Sequence, residues 1–134
     1  MNAFEVSARA MSAQLIRLNT VASNLANANT MSADSDTAYK PLRAIFKTSY
    51  DDAFKQSGRS TVDVSKITIE AREAARVYMP SHPLANPDGF VFRSAVDPSE
   101  EMVEMKEASR QYQNNVEVLT TMRKLMGQTL NIGR

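Results

Sequence analysis

Cysteine is absent from the 134 residues, which removes disulfides, thiolate metal sites and thiol nucleophiles and leaves either side of an oxidising boundary tolerable. A surplus of one charge is also missing: 16 basic and 15 acidic side chains leave a net charge of +1, and no Lys/Arg cluster falls on one face. The sequence-independent attraction to phosphate that marks nucleic-acid binders is therefore lacking, and no nucleic-acid partner is expected. Long apolar runs are lacking too. No stretch reaches the roughly 18 apolar residues of a membrane span, and MNAFEVSARAMSAQLIRL carries Glu5, Arg9 and Arg17 where a cleaved secretory signal needs an unbroken apolar core. If the chain leaves the cytoplasm, another route is expected.

Recognisable chemistry is equally sparse. His82 is the only histidine; it sits in PSHPL without HxxxH or HExxH spacing, and a zinc site needs three or four ligands. Asp88 with Asn86 and Gly89 lacks the alternating oxygens and terminal Glu of a calcium loop, so NPDG is expected to be a type I turn. Glu100, Glu101, Glu104 and Glu107 cluster where helix starts attract acids, near Lys106 and Arg110, and are expected to form a solvated or salt-bridged face. There is no GxSxG, P-loop or GxGxxG. Neither an enzyme nor a cofactor or metal site is expected.

What the chain does have, with 43% hydrophobic and 23% charged residues, is the composition of one modest folded domain and two long periodic ends. Phe4, Ala8, Met11, Leu15, Leu18, Ala22 and Leu25 alternate steps of four and three, the spacing that keeps one stripe facing a partner helix. This predicts a helix from about Ala3 to Ala28, with Asn29 at the next seam position. At the other end Met102, Met105, Ser109, Tyr112, Val116 and Leu119 repeat the pattern, which then slips to Met122, Met126 and Leu130. DPSE, residues 97–100, signposts its start: Asp97 as N-cap, Pro98 at the first helical position, and Glu100 where a capping box places its carboxylate. Gly133 resembles a terminal stop. The seam residues expected to join the two helices are Leu15, Leu18, Leu25, Tyr112, Val116 and Leu119, and the eight methionines add core filling at Met102, Met105, Met122 and Met126.

Between the ends the period changes. MSADSDTAYKP is a polar, turn-forming connection. LRAIFKTSY and TVDVSKITI predict two strands, the second alternating at Val62, Val64, Ile67 and Ile69 with one irregularity; QSGRS separates them, and ARVYM and GFVF add two short strands around PSHPLANPDG. The fold class expected is mainly α with a small β-rich middle: an N-terminal helix in 1–30, a β-rich middle in 31–96 and a C-terminal helix in 97–134, the two helices packed as an antiparallel coiled-coil-like pair.

Charge falls silent twice, from Leu18 to Ala33 and from Leu125 to Gly133. A helix facing water carries Lys, Glu and Arg on its outer side, yet Asn19, Thr20, Ser23, Asn24 and Asn27 occupy those places. Amides and hydroxyls can be buried at far lower cost than charges if they are hydrogen-bonded. Asn27 and Asn29 also suit a helix end; Asn19 and Asn24 lie upstream of it, and Asn114 and Asn115 lie mid-helix, where Asn is a poor former. These six asparagines are the candidate subunit contacts.

SAQLIRLNTVASNLANANT resembles the N-terminal motif of bacterial flagellar rod, hook and related axial proteins, with NLANANT, Asn24 to Thr30, in the place of their NxANxxT-like segment. EMVEMKEASRQYQNNVEVLTTMRKLMGQTLNIGR is similar to their C-terminal motif, with Tyr112, Asn115, Leu130 and Gly133 at its characteristic places. HPLANPDGFVF followed by VDPSEEM is similar to the proximal rod members. Where rod and hook relatives often carry a Pro-Gly-Tyr turn, this chain has MSADSDTAYK and keeps only Tyr39 and Lys40. The resemblance implies a non-enzymatic building block of the basal-body rod crossing the periplasm, exported by the flagellar type III apparatus without a cleaved signal peptide. It implies as partners further copies of the chain, the second proximal rod protein, the adaptor between hook–basal body and membrane ring, distal rod proteins and the export apparatus. The competing class is a soluble helical adaptor or binding module of that export system.

Overall fold

In a computed structural model, which describes residues 2–50 and 60–132, helix α1 spans Ala3–Ala26 and helix α2 spans Pro98–Ile132, with five strands between them. No Gly or Pro interrupts α1. Asn2 caps it by accepting the backbone N–H of Glu5 at 2.8 Å, and Glu5 places a carboxylate near the positive end of the helix dipole. At the far end the N–H of Asn27 donates to Ser23 and Asn24, and its side-chain amide donates to the Ser23 carbonyl at 2.8 Å. The helix therefore closes before Asn29, which lies exposed in the following turn and not at a seam position.

α2 begins as the sequence predicts: Pro98 is its first residue, and Asp97 Oδ1 accepts the N–H of Ser99 at 2.9 Å. The capping box does not close, because Glu100 reaches Arg72 instead, at 2.6 and 2.8 Å. An ion pair with two parallel hydrogen bonds outcompetes one bond to a backbone amide.

Strands β2 (Leu42–Tyr50) and β3 (Ser60–Ile69) form an antiparallel hairpin. The irregular step between Val64 and Ile67 becomes a β-bulge: Ile45 pairs with Lys66 and Phe46 with Val64, leaving Ser65 over. One extra residue returns Val62 and Val64 to the face that holds Ile67 and Ile69. The QSGRS connection, except Ser60, lies outside the described residues, as does Gly133. A second sheet of order β1–β5–β4 joins Met31–Ser32, Phe90–Arg93 and Ala75–Tyr78, all antiparallel. NPDG is the expected turn, with the Gly89 N–H donating to the Asn86 carbonyl at 2.8 Å and Asn86 Oδ1 accepting from Phe90 N–H at 2.8 Å. Gly89 adopts φ +81°, a conformation open to glycine at little cost.

α1 contacts both α2 and the hairpin. The buried apolar residues are all small: Ala13, Val21, Ala28, Ala38, Val91, Val96 and Ala108. Among the described residues no Leu, Ile, Met or Phe is fully buried, and Glu101 and Asn24 are among the largest side chains that are.

Candidate assembly interface

Where the C-terminal turns of α1 meet the start of β2 and the first turn of α2, one amide joins three segments. Asn24 is 0% exposed. Its Nδ2 donates to the Leu42 carbonyl at 2.9 Å and to Glu101 Oε2 at 3.0 Å. Its Oδ1 accepts the Leu42 N–H at 2.9 Å and the Tyr39 hydroxyl at 3.0 Å. The side chain thus pairs with Leu42 as a neighbouring strand would, and with every partner present these hydrogen bonds offset the cost of removing the amide from water. Tyr39 is also within 3.3 Å of the Ser23 hydroxyl.

Glu101 connects this knot to an ion network. Its Oε1 accepts from Arg43 Nη1 at 2.5 Å. Arg43 also lies 3.0 Å from Glu70 and 3.7 Å from Glu100, and Arg72 bridges Glu70 and Glu100. Glu70 Oε2, which faces Arg43 Nε, and Arg43 Nη2, which faces Glu100, are buried without a well-aligned hydrogen bond, so each of these contacts is an attraction of charge alone. Burial works against the Arg43 guanidinium, yet its hydrogen bond to Glu101 and the charges of Glu101, Glu70 and Glu100 outweigh this and raise its pKa. The Arg72 hydrogen bond, against some desolvation and helped by the Arg72 and Arg43 charges, holds the Glu100 carboxyl below its ordinary range. Arg17 meets Glu104 at 2.5 Å one turn further along, and Arg110 meets Glu107 at 2.8 Å. Glu100, Glu104 and Glu107 therefore form the expected salt-bridged face, whereas Glu101 departs from it: it is wholly buried, because Asn24 and Arg43 satisfy its carboxylate inside the subunit.

The sequence-predicted residues fall into distinct surroundings. On α1, after the exposed first residue Ala3, the exposed positions are Glu5, Ala8, Ser12, Leu15, Asn19, Ala22 and Ala26, one stripe that carries no charge beyond Glu5. Leu15 is 45% exposed, while Leu18 and Leu25 are half-buried. On α2 Glu101 and Ala108 are buried, and half-buried Met105, Tyr112, Asn115, Leu119 and Met122 continue one stripe with them in steps of four and three, with Glu104, Glu107, Ser109 and Gln111 half-buried beside it. This inward stripe keeps Tyr112 and Leu119 of the predicted seam but passes through Asn115, leaving Val116 exposed. Of the six asparagines, Asn19, Asn29 and Asn114 are exposed and Asn27 and Asn115 half-buried. Asn24 departs from the expectation of a surface contact: it is buried within the subunit and its amide is fully bonded there.

Within the knot, Arg43 is not singled out by the sequence, Glu101 is expected only on a solvated or salt-bridged face, and Tyr39 is noted only as a retained family residue. On the stripe 101–105–108–112 that the structure turns inward, a carboxylate stands where an apolar residue belongs and so needs a partner; with the predicted seam starting at Met102, the sequence carried no such signal. His82 accepts the Leu84 N–H at 3.1 Å on Nδ1 within its turn. Among the described residues no three His, Cys, Asp or Glu side chains group as metal ligands, and no helix is long and apolar enough to cross a membrane.

The two ends match known families separately. Residues 4–31, which contain α1 and the asparagine motif, match the model described as "Flagella basal body rod protein". Residues 88–132, from the NPDG turn through α2, match "Flagellar basal body rod FlgEFG protein C-terminal". Curated relatives named flagellar basal-body rod protein FlgC match throughout. The Salmonella typhimurium protein is 36% identical over 134 residues, covering 100% of this chain and 98% of the relative. The Escherichia coli O157:H7 protein is 37% identical over 135 residues with the same coverage, and one from Buchnera aphidicola subsp. Schizaphis graminum is 37% identical, covering 99% and 97%. With matches of that length and a helix–hairpin–small sheet–helix order to hold both motifs, the chain belongs to the FlgC family of flagellar basal-body rod proteins, as a structural subunit of the rod.

Proposed function

We propose that this subunit builds the proximal part of the rod by open helical assembly and, through its densely packed helices, transmits torque from the motor to the hook and filament. The observation that carries the proposal is surface area. The chain exposes 9172 Å² for 14.9 kDa, against roughly 7,000 Å² for a compact protein of that mass. The surplus, roughly 2,000 Å², is of the size that permanent interfaces bury. It is also of the right kind: Leu125, Met126 and Leu130 stand exposed on an uncharged run of α2, and Phe46, Val62, Ile67 and Ile69 on one face of the hairpin. Two unlike uncovered surfaces on one chain are what a heterologous, non-closing interface requires.

In the assembled rod the two helices pair antiparallel with a coiled-coil-like seam. Moving back along α1 from Asn24 to Arg17 moves forward along α2 from Glu101 to Glu104, which supports that direction. Neighbours complete the burial of Leu15, Leu18, Leu25, Tyr112, Val116 and Leu119. The exposed amides Asn19, Asn29 and Asn114, with the half-buried Asn27, make lateral hydrogen bonds without the desolvation cost of charges, while Asn115 lies on the inward stripe. The subunit leaves the cytoplasm through the flagellar type III apparatus, crosses the periplasm as part of the rod, and meets the second proximal rod protein, the hook–basal-body adaptor and distal rod proteins. Placing Lys at Asn19 and Asn114 together tests the lateral faces. Both side chains are exposed in the single subunit, so expression and secondary structure should be unchanged while rods fail to form and cells do not swim. Normal motility in that strain would sink the proposal.

A further inference from the structure

We infer that Asn24 is the positioning residue of this subunit: its amide sets the orientation of the β2–β3 hairpin relative to the two helices, and that orientation makes the subunit competent to assemble. The inference rests on the reading that both the hairpin face and the helices meet neighbours.

Four hydrogen bonds leave one side chain toward segments 15, 18 and 77 residues away: Tyr39, Leu42 and Glu101. Two donors and two acceptor positions are the whole capacity of a primary amide, and all are engaged. Leu42 is the first residue of β2, so the bonds to its N–H and carbonyl hold the root of the hairpin against α1. Glu101, in the first turn of α2, ties the second helix to the same point. Of the other polar tethers near the hairpin, Arg72, three residues past β3, clamps the exposed Glu100 of α2 from the open end of the ladder and leaves α1 untouched. Arg9 reaches Asp63 at 3.5 Å with both side chains more than two-fifths exposed, a geometry that contributes little in water. Arg43 binds Glu101 itself.

No other residue type fills the position. Aspartate lacks both donors and would set a second carboxylate against Glu101. Glutamine carries the amide one methylene further, and serine offers one donor where two are needed. The hairpin face with Ile67 and Ile69 and the uncharged run of α2 are separate uncovered surfaces. They meet neighbours together only at one angle between hairpin and helices.

The cysteine-free chain allows a direct measurement. Lys66→Cys in β3 and Lys106→Cys in α2, both at exposed positions, take spin labels for a distance distribution on the purified full-length subunit, and the same variants without labels are tested for rod assembly in cells. The parent should give one narrow distribution. Tyr39→Phe, which removes a single hydroxyl donor, should broaden it, and Asn24→Asp should broaden it further, with motility falling in that order and helix content retained. Gly89→Ala, which loosens the small sheet at its Asn86–Gly89 turn without removing a bond of Asn24, is the control for general destabilisation and should leave the distribution narrow. A narrow distribution in Tyr39→Phe and Asn24→Asp, or equal broadening in Gly89→Ala, would overturn the inference; if Asn24→Asp fails to fold, Tyr39→Phe decides. Broadening with normal motility would overturn the link to assembly while leaving membership of the rod family untouched.

Discussion

Asparagine does three different things within seven residues of this chain, and only the surroundings tell them apart. In NLANANT, Asn24 is a fully bonded core residue, Asn27 closes α1 through Ser23, and Asn29 faces outward from the turn. The residue type was legible as a sign of uncharged burial; which amide is buried within the subunit was not, because that depends on Leu42 and Glu101 arriving from far along the chain. Gly89 is the opposite case, legible from NPDG alone. A Cβ there would stand 2.9 Å from Tyr78 Cε2 and 3.1 Å from Pro80 Cβ, and the left-handed backbone adds its own strain. Gly89→Ala should therefore cost about 1–2 kcal/mol, read as an earlier denaturant midpoint with an unchanged slope.

At the scale of elements, periodicity was a good guide to existence and a poorer one to facing. Both helices, the two long strands with their one irregular step and the two short strands stand where the spacing of apolar residues puts them, while the pairing of the strands and the short β1 inside the expected connection came from the fold. The inward stripe of α2 nevertheless passes through Asn115 and Ala108 instead of Val116 and Ser109. One residue on a helix is a turn of about 100°, so neighbouring stripes of similar polarity are decided by what packs against them. Small side chains win at close approach, as Ala13 and Ala108 do here. The clamp of Arg72 on Glu100 gives this level a pH dependence. Glu100 is held below the ordinary carboxylate value, so its contribution is complete above about pH 4.3 and fades as pH falls through the lower, folded value. Because Glu100 is substantially exposed, the effect is modest. Thermal unfolding of the parent should lose stability on acidification more steeply than Arg72→Gln, and superimposable profiles would refute the clamp.

For the whole molecule, the surplus of surface and, among the described residues, the lack of any fully buried Leu, Ile, Met or Phe support the proposal that the subunit completes its core with neighbours. Burial supplies most helical stability. The end of α2, where Leu130 is 74% exposed, should therefore exchange its amide hydrogens rapidly in the isolated subunit. The turns around Asn24 and Glu101 should be protected. In assembled rods both regions should be slow, and hydrogen exchange followed by mass spectrometry reads each state; protection of the α2 end in the isolated chain would contradict this account.

The boundary between sequence and structure follows the range of the interactions. Helix starts at Asn2 and Asp97, the NPDG turn, the compensating bulge and the uncharged stretches are written within a few residues, and the family motifs are carried by those same local runs. The Asn24–Glu101 bond, the choice of inward stripe and the hairpin surface left bare were decided only by the tertiary structure. Each is a competition among partners that lie tens of residues apart in the chain, and a polar group's burial has no local signature when the atoms that satisfy it are elsewhere.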